Sequence, residues 1–331
     1  MGAAGFVLVV LLVMLRLPVA IAMGCVGYVG LTLTAGPDTS GFMLGRTTFE
    51  AVFPYSLSIV PLFIMMGVFA GHAGLSQSLY NFVATLVGHF RGGLAMATIG
   101  GCAIFGAVSG SGIATTATMG RVALPEMRRH GYADSLACAT IAAGGTLGVM
   151  IPPSILFVVY GLATEQSIGR LFLSGVLPGI LGMLLYAGAV AFSVRRGSNA
   201  GPAGPRHAWT ERLRGLADIW QIVVLFGLVL GGMYFGWFSP TEAAAVGAAG
   251  AIVLALLSGR LDRKVIHDGV AETALTSGMI FMILIGAGIF NAFIESTGMT
   301  DELIALVNAL ELNRWWVMAV LMLTYIVLGA L

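Results

Sequence analysis

Two interruptions in an otherwise apolar sequence constrain this chain more than any other feature. The first is Gly106-Ala107-Val108-Ser109-Gly110-Ser111-Gly112; the second is Gly144-Gly145-Thr146-Leu147-Gly148-Val149-Met150-Ile151-Pro152-Pro153-Ser154. Neither continues a regular helix, because glycine carries extra backbone entropy and each proline removes an amide donor and clashes one turn back. In hydrocarbon, opened backbone survives only where it is buried in protein or lines a polar cavity, since every unsatisfied peptide group is costly there. Two openings this close in sequence therefore point to one shared internal site. Exposed carbonyls and Ser or Thr hydroxyls are hard oxygen ligands for a small cation, and the amide end of a broken helix suits an anionic group. That is the chemistry of ion-coupled transport.

Composition places these breaks in a membrane. Of 331 residues, 58% are hydrophobic and only 9% charged, against roughly 25% charged in soluble domains. The chain reads as an integral, all-α polytopic membrane protein. Its 47 glycines fit close helix packing in lipid. Cys25, Cys102 and Cys138 lie in apolar runs without CxxC spacing, which indicates neither a disulfide framework nor a zinc site. A net charge of +1 names no partner.

The apolar run from Met1 to about Leu33 reads as a first span disturbed by Pro18, without the basic start of a cleaved signal peptide. Further spans are expected at Ser56–Ala73, Ala133–Tyr160, Leu171–Val194, Ile219–Phe238, Thr241–Leu257, Val270–Ser296 and from Trp315 onward. Leu94–Met119 is divided at Ser109–Gly112 into arms too short to cross, so it is either a re-entrant hairpin or a single kinked span. With a hairpin and the N-terminus inside, only Arg46, Arg170 and Arg314 among the loop cations fall outside, a clear positive-inside bias. Inverting the start merely exchanges Arg46 with Arg91, so charge leaves the N-terminal orientation open.

The polar segment 195–218, rich in Gly and Pro, divides the chain into a first half, 1–194, and a second, 219–331. The first holds the hairpin at about 94–119 and a broken helix at about 133–160. A faint repeat crosses the linker: Gly74-Leu75-Ser76 falls on Gly298-Met299-Thr300, Leu79 on Leu303 and Val83 on Val307. If the first break is a hairpin, the repeats are inverted, as in many transporters.

Other motifs have structural explanations. Ser239-Pro240-Thr241-Glu242 has the pattern of a helix N-cap with its capping box. Gly67/Gly71, Gly175/Gly179 and Gly227/Gly231 have the spacing of helix packing. Trp220, Trp237, Trp315 and Trp316 fall near span ends, as an aromatic belt does. His72 with Ser109 or Ser111 lacks the sequence of an intramembrane serine nucleophile loop. Asn291, flanked by Ile289-Phe290 and Ala292-Phe293, is the leading polar candidate of the second half.

Taken together, Gly106–Gly112 followed by Ala114-Thr115-Thr116-Ala117-Thr118-Met119-Gly120, Gly144–Ser154, and Ser239-Pro240-Thr241-Glu242 through Gly247 resemble the large membrane subunit of tripartite ATP-independent periplasmic (TRAP) transporters, the DctM family. The resemblance covers essentially the whole chain. It implies an inverted-repeat, elevator-type, sodium-coupled importer in the bacterial inner membrane that is not an enzyme. The implied partners are a small four-helix membrane subunit, a periplasmic solute-binding protein, a carboxylated small solute and the lipid bilayer, with no nucleic acid and no cofactor beyond the coupling sodium ion. Carried over by motif, one sodium site lies between Ser109, Gly110 and Ser111 and the break at Gly148, Ile151 and Pro153; Thr115 and Thr116, with Asn291, stand on the substrate side.

Family members continue well past Leu331, so the second repeat is expected to be incomplete, and the chain as given is expected to insert without catalysing coupled uptake. The alternative is a membrane scaffold or assembly subunit without transport of its own. A re-entrant hairpin puts His89 and Arg128 on one side of the membrane. Single cysteines at these positions should react with an impermeant label from the same face of oriented vesicles; labelling from opposite faces excludes the hairpin.

Overall fold

The computed structural model describes residues 1–196, 201–310 and 313–330. The first part of the expected linker, 197–200, lies outside the described residues, as do 311–312 and Leu331. The described chain is all α-helical, without strands. Four helices, within Tyr55–His72, Ile168–Arg196, Pro240–Leu257 and Arg263–Ser296, are long and apolar enough to cross a membrane, and two bent helix pairs raise the number to six. By contacts the chain forms two compact units, Met1–Pro54 with Gly278–Leu331, and Tyr55–Ser277. This division follows a different line from the halves at the linker.

In the first unit, α1 (Gly2–Met14), α2 (Val19–Ala35) and α3 (Pro37–Glu50) meet the end of α15 (Arg263–Ser296), followed by α16 (Met299–Ala309) and α17 (Arg314–Ala330). The expected single span at Met1–Leu33 is instead two antiparallel helices. Gly5 of α1 and Gly30 of α2 both lie against Phe293, and the turn is made by Arg16, with φ 68°, ahead of Pro18. A residue before proline disfavours helix, and two residues earlier a left-handed arginine completes the reversal. Val9, Ala22, Val26, Leu31, Phe290 and Phe293 form the core. A Cβ on Gly27 would lie 2.7 Å from the Phe290 backbone, so glycine sets this helix separation.

The second unit runs through α4 (Ile59–His72), α5 (Leu75–Val87), α6 (Gly93–Ser109), α7 (Gly112–Arg129), α8 (Asp134–Met150), α9 (Ile155–Ala163), α10 (Ile168–Arg196), α11 (Trp209–Asp218), α12 (Trp220–Phe226), a π-helical turn (Gly227–Gly231), α13 (Gly232–Tyr234), α14 (Pro240–Leu257) and the start of α15. Its pillar is α6, with 14 of 17 residues buried, because a helix apolar on every side must be covered on every side. It packs against α4, α5, α7, α8 and α10.

α7 returns antiparallel to α6. Gly101 faces Met119 midway, and near the far end the Thr98 hydroxyl points to Met127 Sδ at 3.5 Å. The arms, 17 and 18 residues, are longer than hydrophobicity alone indicates. Thr115, Met119, Ala123 and Met127 are buried at four-residue intervals, so one apolar stripe continues the helix past Met119 while Arg121 and Arg128 occupy other faces. α8 and α9 bend by 41° at the proline pair.

Glycine explains most close approaches, with one exception. A Cβ on Gly67 would lie 2.6 Å from Ser109 Cα, whereas Gly71 faces Phe105 at 3.6 Å, and Gly175 and Gly179 receive Phe157 and Ile151. Gly227 and Gly231 have no neighbour within 4 Å; their spacing marks the π turn instead of a packing seam. The later part of the linker is docked. Gly92 N–H donates to Gly201 O at 3.0 Å and Gly204 N–H to Gly88 O at 2.9 Å. Tyr132 OH donates to Pro202 O at 2.9 Å and accepts from Leu94 N–H at 3.1 Å. Burial pushes this phenol's pKa up.

Gly67→Ala should therefore lower stability by about 1–3 kcal/mol through overpacking against backbone. Gly71→Ala, with ordinary contact space and a favourable helix propensity, should be neutral or slightly stabilising. Thermal unfolding in detergent checks the pair.

Candidate functional site

The turn between α6 and α7 is made by Gly110, at φ 62°, a left-handed conformation that favours glycine. Ser111 is extended and caps α7, its hydroxyl accepting from Ala114 N–H at 3.3 Å. Thr115 Oγ1 donates to Ser111 O at 2.7 Å and lies 2.8 Å from Ser109 Oγ. A hydroxyl has one proton; with Thr115's committed to Ser111 O, Ser109 donates to Thr115. Gly106 O and Ser111 O lie 3.4 and 3.3 Å from Ser109 Oγ. Two hydroxyls and two carbonyls thus converge inside the tip.

The break in α8–α9 closes over this tip. Ile155 N–H donates to Gly110 O at 3.3 Å, and a Cβ on Gly110 would lie 3.0 Å from Pro153 O. Gly148 sits where a Cβ would lie 2.6 Å from Thr115 Oγ1 and 3.0 Å from Ser111 O; Gly106 faces Gly148, and Gly145 faces Thr116. The repeated glycines of both motifs let two broken elements share one volume.

Most sequence-selected residues meet here: Ser109, Gly110, Ser111, Gly148 and Pro153. The Ile151 side chain instead packs toward Gly179 of α10. Thr115 is buried inside the tip and Thr116 Oγ1 donates to Gly112 O at 2.8 Å, so both hydroxyls are engaged within the hairpin. Asn291 belongs to the other compact unit and donates to Glu295 Oε1 at 2.8 Å.

Ser154 was not singled out from sequence. It stands at the N-cap position of α9 without capping it, is 0% exposed, and its hydroxyl has no partner. A buried polar group without a partner is unusual and calls for an explanation. The Pro-Pro-Ser pattern reads equally as an ordinary cap, so the signal exists only in three dimensions. The donor set is neutral oxygen throughout, suited to a cation of low charge. Among the described residues there is no group of three His, Cys, Asp or Glu side chains placed to hold a metal ion.

Several spans with two broken helical elements meeting at glycine, serine and uncharged oxygen define an all-α polytopic membrane protein. A family model for the tripartite ATP-independent periplasmic transporter DctM component matches residues 6–331, and the chain belongs to this family, a transporter family. It is similar to the isethionate TRAP transporter permease protein DctMQ of Oleidesulfovibrio alaskensis, 37% identical over 85% of this chain and 44% of that protein. It is also similar to the C4-dicarboxylate TRAP transporter large permease protein DctM of Pseudomonas aeruginosa, 35% identical over 85% and 66%. A third relative is the ectoine/5-hydroxyectoine TRAP transporter large permease protein UehC of Ruegeria pomeroyi, 32% identical over 99% and 76%. The matches to the first two span 44% and 66% of those proteins' lengths.

Thr115→Val removes the hydroxyl joining Ser109 to Ser111 O and should cost about 1–3 kcal/mol. Ser154→Ala removes an unpartnered group and should leave stability unchanged or raise it. Denaturation of the two variants side by side checks this.

Proposed function

We propose that this chain is the large membrane subunit of a sodium-coupled secondary importer of the bacterial inner membrane, taking a carboxylated small solute from a periplasmic binding protein and working beside a small four-helix membrane subunit. The observation that carries the ion assignment is the unpartnered, buried Ser154 hydroxyl, one residue before the amide that holds Gly110. With Ser109 Oγ, Thr115 Oγ1 and the carbonyls of Gly110, Ser111 and Pro153 it supplies oxygen from both broken elements. The relatives' names specify different solutes, isethionate, C4-dicarboxylate and ectoine.

Repeated local structure supports alternating access by inverted repeats. Gly74 and Gly298, with φ 78° and 69°, each precede a helix, α5 and α16. Within the first unit α2 packs on the end of α15 through Gly27 and Gly286; within the second, α14 packs on α4 with Gly247 against Met66. Laid on the Gly74–Gly298 offset, α2 falls on α14 and α4 on the end of α15, so each unit holds one pairing of equivalent helices. In this reading α6 and α7 form a re-entrant hairpin.

In the transporter reconstituted with its small subunit and binding protein, Ser109→Ala and Ser154→Ala should raise the sodium concentration for half-maximal uptake by about fivefold, the effect of losing one oxygen ligand worth about 1 kcal/mol, the size of a net hydrogen bond. Ser239 and Glu242 form the capping box of α14, with distances of 3.3 and 2.8 Å. Ser239→Ala should therefore cost about 1 kcal/mol of stability and leave sodium dependence unchanged. An equal sodium effect in all three variants refutes the site.

A further inference from the structure

We propose that α11 is an interfacial anchor, setting its apolar face into the bilayer surface, with Arg212 and the preceding Arg206 against acidic phospholipid headgroups. Trp209, Leu213 and Leu216 share one helical face, and Trp209 and Leu213 are 74% and 63% exposed. The opposite face carries Glu211, Arg214, Gly215 and Asp218, which line a cleft of about 370 Å³ with Ser78, Asn81, Phe82 and Thr85 of α5. The helix is thus turned with Glu211, Arg214 and Asp218 toward α5 and its apolar side chains outward. At the contact, Gly215 would place a Cβ 3.2 Å from Phe82.

Position and charge identify the occupant. α11 joins the apolar Trp220–Tyr234 stretch at a 50° bend, so it leaves the line of that helix at the expected span boundary, where exposed Trp220 stands. Glu211, Arg212, Arg214 and Asp218 make the ten-residue α11 too charged for the hydrocarbon core. Arg212 lies over the Trp209 ring at 5.0 Å, beside the outward face. Across 195–218 the charges are Arg195, Arg196, Arg206, Arg212 and Arg214 against Glu211 and Asp218. Glu211 is engaged at the helix start by His207 at 2.9 Å and Ala208 N–H at 3.3 Å. The helix itself is charge-balanced, but an exposed Trp/Leu face set in a segment with five arginines against two acids matches an anionic membrane surface.

For the test, exposed Cys25 and Cys138 are replaced by serine, and Leu213→Cys carries an environment-sensitive fluorophore in the protein reconstituted into mixed phosphatidylglycerol/phosphatidylcholine vesicles. Brominated phosphatidylglycerol should quench it more strongly than brominated phosphatidylcholine. The preference should fall about fivefold for each of Arg206→Gln and Arg212→Gln, the contribution of one basic residue at an acidic surface. It should also flatten near 1 M salt without any charge substitution, a readout independent of how the glutamine variants fold. A water-exposed fluorophore, or equal quenching by both lipids, overturns the proposal. So does shielding that appears only when the small membrane subunit is added, which would assign the face to that protein.

Discussion

Satisfying opened backbone away from water is the constraint on which the site depends. Gly110 reverses the chain inside a buried hairpin, and its carbonyl is held by Ile155 N–H, itself freed by the break between α8 and α9. Each break supplies what the other lacks. This exchange requires backbones closer than any side chain permits, and Gly67, Gly106, Gly145 and Gly148 stand where a Cβ would collide with Ser109, Gly148, Thr116 and Thr115. The glycines are the geometric condition for pairing two broken helices in a medium that offers no other hydrogen-bond partners.

The same constraint places α6 at the centre of its unit. Because it is covered on all sides, its start and its tip are both fixed: Leu94 N–H is held by Tyr132, which also holds Pro202, and Ser109 rests on Gly67. The docked part of the linker is thereby tied to the base of the hairpin that carries the oxygen cluster. A long polar segment in sequence is, over residues 201–204, a strap bonded at Gly201, Pro202 and Gly204.

The features legible in sequence are those encoded by strong local chemistry. Gly and Pro runs located both breaks, and Ser239 with Glu242 specified its cap before any coordinates. The repeat seen as Gly74 over Gly298 is matched by the same left-handed geometry at both positions. What escaped depends on distant partners. Hydropathy did not distinguish one disturbed span from the antiparallel α1 and α2, whose registration is set by Phe293 far away in sequence. It also stopped α7 at Met119, because the stripe continuing it is buried by the neighbouring helices α5, α6 and α8 rather than by lipid. The unmet hydrogen bonding of Ser154 and the internal engagement of Thr115 are likewise decided by neighbours.

The oxygen cluster at the tip has a further physical property. Ser109 and Thr115 turn their protons inward, onto Thr115 and Ser111 O, so the four oxygens are mutually satisfied as they stand. A hydroxyl keeps lone-pair capacity while it donates its proton, so a cation in the proposed site would share these oxygens with internal hydrogen bonds worth about 1 kcal/mol each. An ion bound there would act on the hairpin only through a difference in its affinity for two states of this contact. Gly110 O is bonded by Ile155 N–H and Pro153 O faces the same glycine, so the cluster adjoins the contact between hairpin and broken helix. With no fixed charge buried among these hydroxyls and carbonyls, the tip bears none of the large desolvation penalty that a buried ionised side chain would carry.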